Sequence, residues 1–242
     1  MGEPLLSLRS ISKSFRGLRA VSDVSLEVNA GRVVALIGPN GAGKTTCFNL
    51  IAGTIAPDSG EILFDGGRIG GRRPDEICLA GIGRTFQLVK PFAGLTVLDN
   101  VIVGTLLRNA RLADARRKAR AILERLGLAE KRDQPAASLT LPERKRLEVA
   151  RALGTEPRLL LLDEVMAGLR PTETDQMVAV LRRLMQDHAV TIVLIEHVMR
   201  AVMALSDEVH VLHHGELIAS GSPDEVVRDP AVLDCYLGEE AV

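Results

Sequence analysis

Eight consecutive residues, Gly38-Pro39-Asn40-Gly41-Ala42-Gly43-Lys44-Thr45, fit the phosphate-loop pattern G-x-x-x-x-G-K-[ST] in full. The residue types account for the chemistry. Glycines let successive backbone N–H groups turn toward one point, where phosphate oxygens sit, without a Cβ in the way. Lys44 can reach the β- and γ-phosphates of a nucleotide, the Thr45 hydroxyl can ligate Mg2+, and Thr46 extends the same nucleotide-binding stretch. The pattern needs a strand before it and a helix after it. The apolar run Val33–Ile37 reads as a buried strand, and a helix is expected over about Gly43–Ile51. Its N-terminal partial positive charge would face the same phosphates.

A second pattern lies far downstream. Leu159–Leu162 is followed by Asp163-Glu164. A buried strand ending in a carboxylate supplies an outer-shell Mg2+ partner in phosphate-loop enzymes, here Asp163. The next carboxylate, Glu164, stands where it could polarise a water for attack on the γ-phosphate. An apolar run ending in Asp-Glu is common by itself; the complete phosphate loop gives it meaning.

Further elements must hold these groups. Leu5–Leu8, Val24–Val28 and Glu61–Phe64 read as strands. Thr96-Val97-Leu98-Asp99 and Thr140-Leu141-Pro142-Glu143 are capping-box patterns that open helices, the second running to about Leu153. Between them, apolar residues recur at helical spacing from Leu112 to Leu126, where Gly127 is a natural stop. A helix over Thr172–Gln186 and a strand over Val190–Ile195 follow. Buried strands alternating with helices imply an α/β fold with a largely parallel sheet covered on both faces. The early strands suggest an added antiparallel β-layer. The expected organisation is a nucleotide-binding core with β-layer at residues 1–90 and 154–242, and an inserted α-helical subdomain at residues 91–153.

Composition narrows the function. Thirty basic residues against thirty-one acidic ones leave a net charge of -1, so nothing draws the chain as a whole to nucleic acid. The basic segments Arg111–Arg125 and Arg144–Arg146 lack interleaved aromatics and read as solvated helix faces. No apolar run is long enough to cross a bilayer, and Met1 to Ser10 shows no signal-peptide pattern, so a cytoplasmic, soluble or peripheral protein is expected. Cys47, Cys78 and Cys235 are too scattered for a disulfide framework or a CxxC metal pair. His213 and His214 precede Gly215 and read as turn residues rather than metal ligands.

The order of motifs resembles the ATP-binding-cassette (ABC) transporter ATPases over essentially the whole chain. That resemblance implies a P-loop NTPase fold with a RecA-like core, and ATP and Mg2+ as ligands. It also implies that Phe15 stacks on adenine, and that Gln87, in Gly83-Arg84-Thr85-Phe86-Gln87, touches Mg2+ or the attacking water and relays nucleotide state. His197, in Ile195-Glu196-His197, would hydrogen-bond the γ-phosphate. Expected partners are a second ABC ATPase subunit, paralogous or identical, and transmembrane permease subunits at the cytoplasmic face of the membrane.

Within the family, several phrases resemble the branched-chain (hydrophobic) amino acid importer ATPases. They are Gly83–Gln87, Leu95–Val101, Asp163–Leu169 and the tail Tyr236-Leu237-Gly238-Glu239-Glu240. The first is similar to the paralogous type whose name ends in G. That resemblance adds a periplasmic solute-binding protein as an indirect partner. Readings from other classes are a lipopolysaccharide or lipid exporter ATPase, a soluble mechanochemical ATPase, and a nucleotide-binding regulator without turnover.

The chain departs from the family pattern at the signature. Leu139-Thr140-Leu141-Pro142-Glu143 stands where the family has Leu-Ser-Gly-Gly-Gln, which grips the γ-phosphate bound to the opposite subunit. Thr140 keeps a hydroxyl, but Pro142 has no N–H to give and Glu143 adds a negative charge. Arg170 stands where many members have Asp. An asymmetric dimer, with one ATP site weaker than the other, is the expectation.

Overall fold

The structure, a computed structural model, describes residues 3–87, 90–188 and 190–237; Gly238-Glu239-Glu240 of the tail lies outside the described residues. In chain order the elements are β1 (Leu6–Phe15), β2 (Leu18–Val28), β3 (Val33–Ile37), α1 (Lys44–Ile51), β4 (Ser59–Phe64), β5 (Gly67–Arg68), α2 (Pro74–Ala80) and β6 (Ile82–Arg84). There follow α3 (Val97–Thr105), α4 (Leu112–Arg125), α5 (Leu141–Gly154), β7 (Leu159–Asp163), α6 (Pro171–His188), β8 (Thr191–Ile195) and α7 (Met199–Leu205). The chain ends in β9 (Glu208–His213), β10 (Glu216–Gly221), α8 (Pro223–Val226) and α9 (Pro230–Leu237). Two compact units are formed: Met1–Ile77 with Thr191–Val242, and Cys78–Val190.

In the first unit, β1 pairs antiparallel with β2 and β4, and β4 with β5, giving the expected β-layer. A second group has β3 between parallel neighbours β8 and β9, with β10 antiparallel on β9. Every residue of β3 and β8 is buried, which is why both read as unbroken apolar runs rather than alternating ones. β1 and β2 run longer than the sequence pattern predicts. Ser10 and Asp23 have φ of 48° and 53°, and the β1–β2 register shifts around them. Such irregularities break the period-two signal while pairing continues on either side.

The second unit has a three-helix core and the parallel pair β6–β7. The inner faces of α4 and α5 bury Ala115, Ala119, Leu123, Leu147 and Ala150, spaced for helices. α3 starts as its capping pattern requires, with the Asp99 N–H donating to Thr96 Oγ1 at 3.0 Å. α3 and α5 approach closely through Gly104 and Gly154: a Cβ on Gly104 would lie 2.6 Å from the Arg151 carbonyl oxygen. Neither glycine signals this in the sequence, because the need for it arises from a helix distant in the chain. Gly104→Val should therefore destabilise the protein by about 2–3 kcal/mol through overpacking, read as a lowered denaturation midpoint at unchanged slope in urea.

Candidate active site

The loop from Gly38 to Gly43 joins β3 to α1 in the first unit. Gly38 has φ of +144°, and a Cβ there would lie 2.0 Å from the Leu212 carbonyl oxygen. Gly43, the N-terminal cap of α1, has φ of +104° and would meet the Ala20 carbonyl at 2.4 Å. The loop is thus wedged between β2 and the β9–β10 turn. The turn contributes directly: the Gly215 N–H donates to the Ala42 carbonyl at 3.0 Å, and the Ser22 N–H to the Gly215 carbonyl at 2.8 Å. His214 and Gly215, at φ of 48° and 84°, form this turn, whereas His213, read with His214 as a turn residue, is the last residue of β9. Sequence reasoning had no signal that the turn braces the phosphate loop.

Lys44 is buried, and its ammonium donates to the Gly38 and Pro39 carbonyls at 2.7 and 2.8 Å. A cation held in this way is folded back over its own loop, beside the N–H groups. Pro39 and Ala42 are buried, Asn40 and Gly41 are exposed, and Thr45 presents an exposed side chain one residue into α1. Behind them Cys47, Phe48, Leu50 and Ile51 anchor the helix, and burial pushes the Cys47 thiol up to about 12, an inert group. Phe15, at the end of β1, is 45% exposed with the Lys13 ammonium 5.7 Å from its ring centre. His197 is exposed just after β8.

The second unit brings Gln87, Asp163 and Glu164 together. The Gln87 side-chain amide donates to Glu164 Oε2 at 2.8 Å. Asp163, last residue of β7, is buried, and its Oδ2 accepts from Arg84 Nη2 at 3.0 Å. Thr85 completes a clasp. Its N–H donates to the Leu161 carbonyl at 2.9 Å, and its Oγ1 accepts from the Asp163 N–H at 3.0 Å. Burial pushes the Asp163 carboxyl above its usual value; the Arg84 guanidinium and the Lys145 ammonium pull against this, and the Glu164 charge adds to it. Glu164 has φ of 49°, an unfavourable conformation for a side-chain-bearing residue, and the buried Lys145 donates to its carbonyl at 2.8 Å.

Glu148 of α5 accepts from the Phe86 N–H and from Arg151, and burial raises its pKa despite both. Arg84, Thr85, Lys145 and Glu148 are functional neighbours that the sequence does not reveal. Three of them are charged residues in ordinary surroundings, and only β-pairing or helix packing shows what they touch.

Each unit offers an oxygen donor of the hard kind that Mg2+ takes: the Thr45 hydroxyl in the first and the Asp163 carboxylate in the second. Among the described residues, no cluster of three or more His, Cys, Asp or Glu could cage a metal alone.

The sequence pattern of the family described as "ABC transporter" matches residues 21–167. The chain belongs to the ABC transporter family. A second pattern, "Branched-chain amino acid ATP-binding cassette transporter", matches residues 216–242. Among curated proteins, the chain is 39% identical to the high-affinity branched-chain amino acid transport ATP-binding protein LivG of Escherichia coli (strain K12), covering 99% of this chain and 100% of that one. It is 35% identical to the lipopolysaccharide export system ATP-binding protein LptB of the same strain, covering 97% and 98%. Among solved structures, it resembles the ADP conformation of an ATP-binding cassette of an ABC transporter, with a TM-score of 0.89, 31% identity, and coverage of 98% and 100%. The P-loop NTPase fold read from the sequence is therefore the fold of its relatives.

At the start of α5, Leu139 is buried, Thr140 and Leu141 are exposed, and Thr140 is the N-terminal cap. The Thr140 N–H donates to Glu143 Oε2 at 2.9 Å, and Lys131 pairs with Glu143 Oε1 at 2.5 Å. Glu143 is thus engaged by a capping box within α5 and by Lys131 from outside it. Arg170 is likewise engaged locally: its N–H and guanidinium both bond Glu173 at the start of α6.

Partial burial works against the Glu143 charge, but Lys131 and the Thr140 groups outweigh it and hold the carboxyl below its usual value. A depressed carboxylate contributes stability above the unfolded pKa of about 4.3, and that stability is lost as pH falls through the folded value. Glu143→Gln should cost about 1 kcal/mol at pH 7. The gap from wild type should close below about pH 4, measured by urea unfolding across pH.

Proposed function

We propose that this chain is the ATP-binding and ATP-hydrolysing subunit of an importer for branched-chain or other hydrophobic amino acids, or related small solutes. It works at the cytoplasmic face of the membrane, paired with a second, paralogous ATPase subunit, on permease subunits fed by a periplasmic binding protein. No helix among the described residues is long and apolar enough to cross a membrane, so the spanning path would come from those partners. The observation that carries the ATPase reading is the complete phosphate loop, wedged between β2 and the β9–β10 turn, with the Lys44 ammonium folded over it.

The roles follow from the side chains. Gly38–Thr46 cradle the phosphates, with Lys44 on the β- and γ-phosphates and Phe15 against adenine. Thr45, Asp163 and Gln87 serve Mg2+, which when bound polarises the γ-phosphoryl group. Glu164, oriented by Gln87, is the base for the attacking water, and His197 contacts the γ-phosphate. Import is favoured over lipid export by the match of residues 216–242 to the branched-chain pattern and by the higher identity to LivG than to LptB. Replacing Glu164 by Gln should lower ATP turnover of the assembled complex by about 100-fold or more, measured as phosphate release in proteoliposomes. Unchanged turnover would refute the assignment, and loss of turnover without loss of solute uptake would refute coupling.

The self-capped start of α5 supports an asymmetric dimer. One lost charge-assisted hydrogen bond costs roughly 1.5–3 kcal/mol. The ATP site that depends on Leu139–Glu143 of this chain is accordingly the slower. The site built from this chain's phosphate loop and Glu164, closed by the partner's signature, is the faster. In the reconstituted pair, Glu-to-Gln at Glu164 should lose more turnover than the matching change in the partner; equal losses would reject asymmetry.

A further inference from the structure

Arg84 and Asp163 form an ion pair that the ATPase reading leaves unexplained. Their side chains are 11% and 3% exposed. Arg84 ends β6, in register with Leu161 of β7, so its guanidinium reaches across the pair to the carboxylate two residues on. The following Thr85 locks both the Leu161 carbonyl and the Asp163 N–H, which removes freedom to slide. The Arg84 guanidinium also lies over the Phe86 ring, 5.4 Å from its centre. Three residues after Arg84, Gln87 bonds Glu164. One short segment thus touches both carboxylates.

A carboxylate taken out of water needs a cation, and removing that cation leaves a costly uncompensated charge. The same carboxylate cannot hold two cations equally well, because a second positive charge a few ångströms away repels the first. We propose that Arg84 is the resident counter-ion of Asp163, a positioning residue against which a magnesium ion arriving with nucleotide competes. Arg84 stabilises the metal-free chain and raises the Mg2+ concentration needed to engage the site. Because Arg84 and Gln87 share one segment, yielding of Arg84 to the metal is passed to the Gln87–Glu164 contact. This rests on the proposed role of Asp163 at the metal.

The test uses this whole chain at pH 8. A fluorescent ATP analogue is held at fixed concentration while free Mg2+ is titrated, and melting temperature is recorded in EDTA and with Mg2+ and ATP. Arg84→Ala should lower the Mg2+ midpoint about tenfold or more, the scale of one charge-assisted hydrogen bond. It should also lower the melting temperature in EDTA, with much of that loss recovered in Mg2+ and ATP. Arg84→Lys, which keeps a cation without the planar fork, should shift the midpoint in the same direction by less, and decides the matter if the alanine variant does not fold. In an Asp163→Asn background the shift should vanish. A midpoint unchanged or raised, with equal melting losses in both buffers, would leave Arg84 a purely structural group and overturn the proposal. Wild-type chain showing no Mg2+-dependent nucleotide binding would instead remove the ATPase reading, and this proposal with it.

Discussion

Backbone N–H groups converge on one point only where the chain turns through conformations that a side chain would forbid. Gly38 and Gly43 supply those turns, and both are pressed against carbonyl oxygens of neighbouring strands. Much of the first unit can be understood as support for that loop. β3 is buried between β8 and β9 and so delivers the loop from a fixed strand end. α1 is pinned by Phe48 and Leu50, so its N-terminus stays aimed. The β9–β10 turn then closes over the loop through Gly215.

The second unit solves a different problem, that of keeping charges in a dry place. Asp163, Glu148 and Lys145 are all buried, and each has a partner: Arg84, Arg151 with the Phe86 N–H, and the Glu164 carbonyl. These contacts converge on the segment Arg84–Gln87 and on Asp163–Glu164. A buried charge is tolerated when its partners are fixed, and fixed partners give a site its geometry. The positive φ of Glu164 fits the same pattern, since strained backbone persists only where surrounding contacts hold it.

Most elements were legible in the sequence because they obey local rules. The Thr96 cap and the Thr140 capping box start helices where expected, and Gly127 follows the end of α4 at φ of 66°. Shorter elements were not. β6 is three residues between glycine and a loop, too short for any period to appear. α2 is seven residues with one buried side chain, Ile77, so it carries no amphipathic stripe. The strand expected from Val190 begins instead at Thr191.

From the sequence alone came the phosphate loop with its flanking strand and helix, the Asp163-Glu164 pair and the α/β class. All of these are set by residue type and by spacing within one element, where the period of a helix or strand is written directly in the chain. The tertiary structure alone decided that Arg84 serves Asp163, that Gln87 orients Glu164, that Lys145 holds the Glu164 backbone, and that Gly215 braces the loop. The Arg84–Asp163 partners are 79 residues apart. Which side chain faces which across such a gap depends on strand register, where a slip of one residue turns every side chain to the other face.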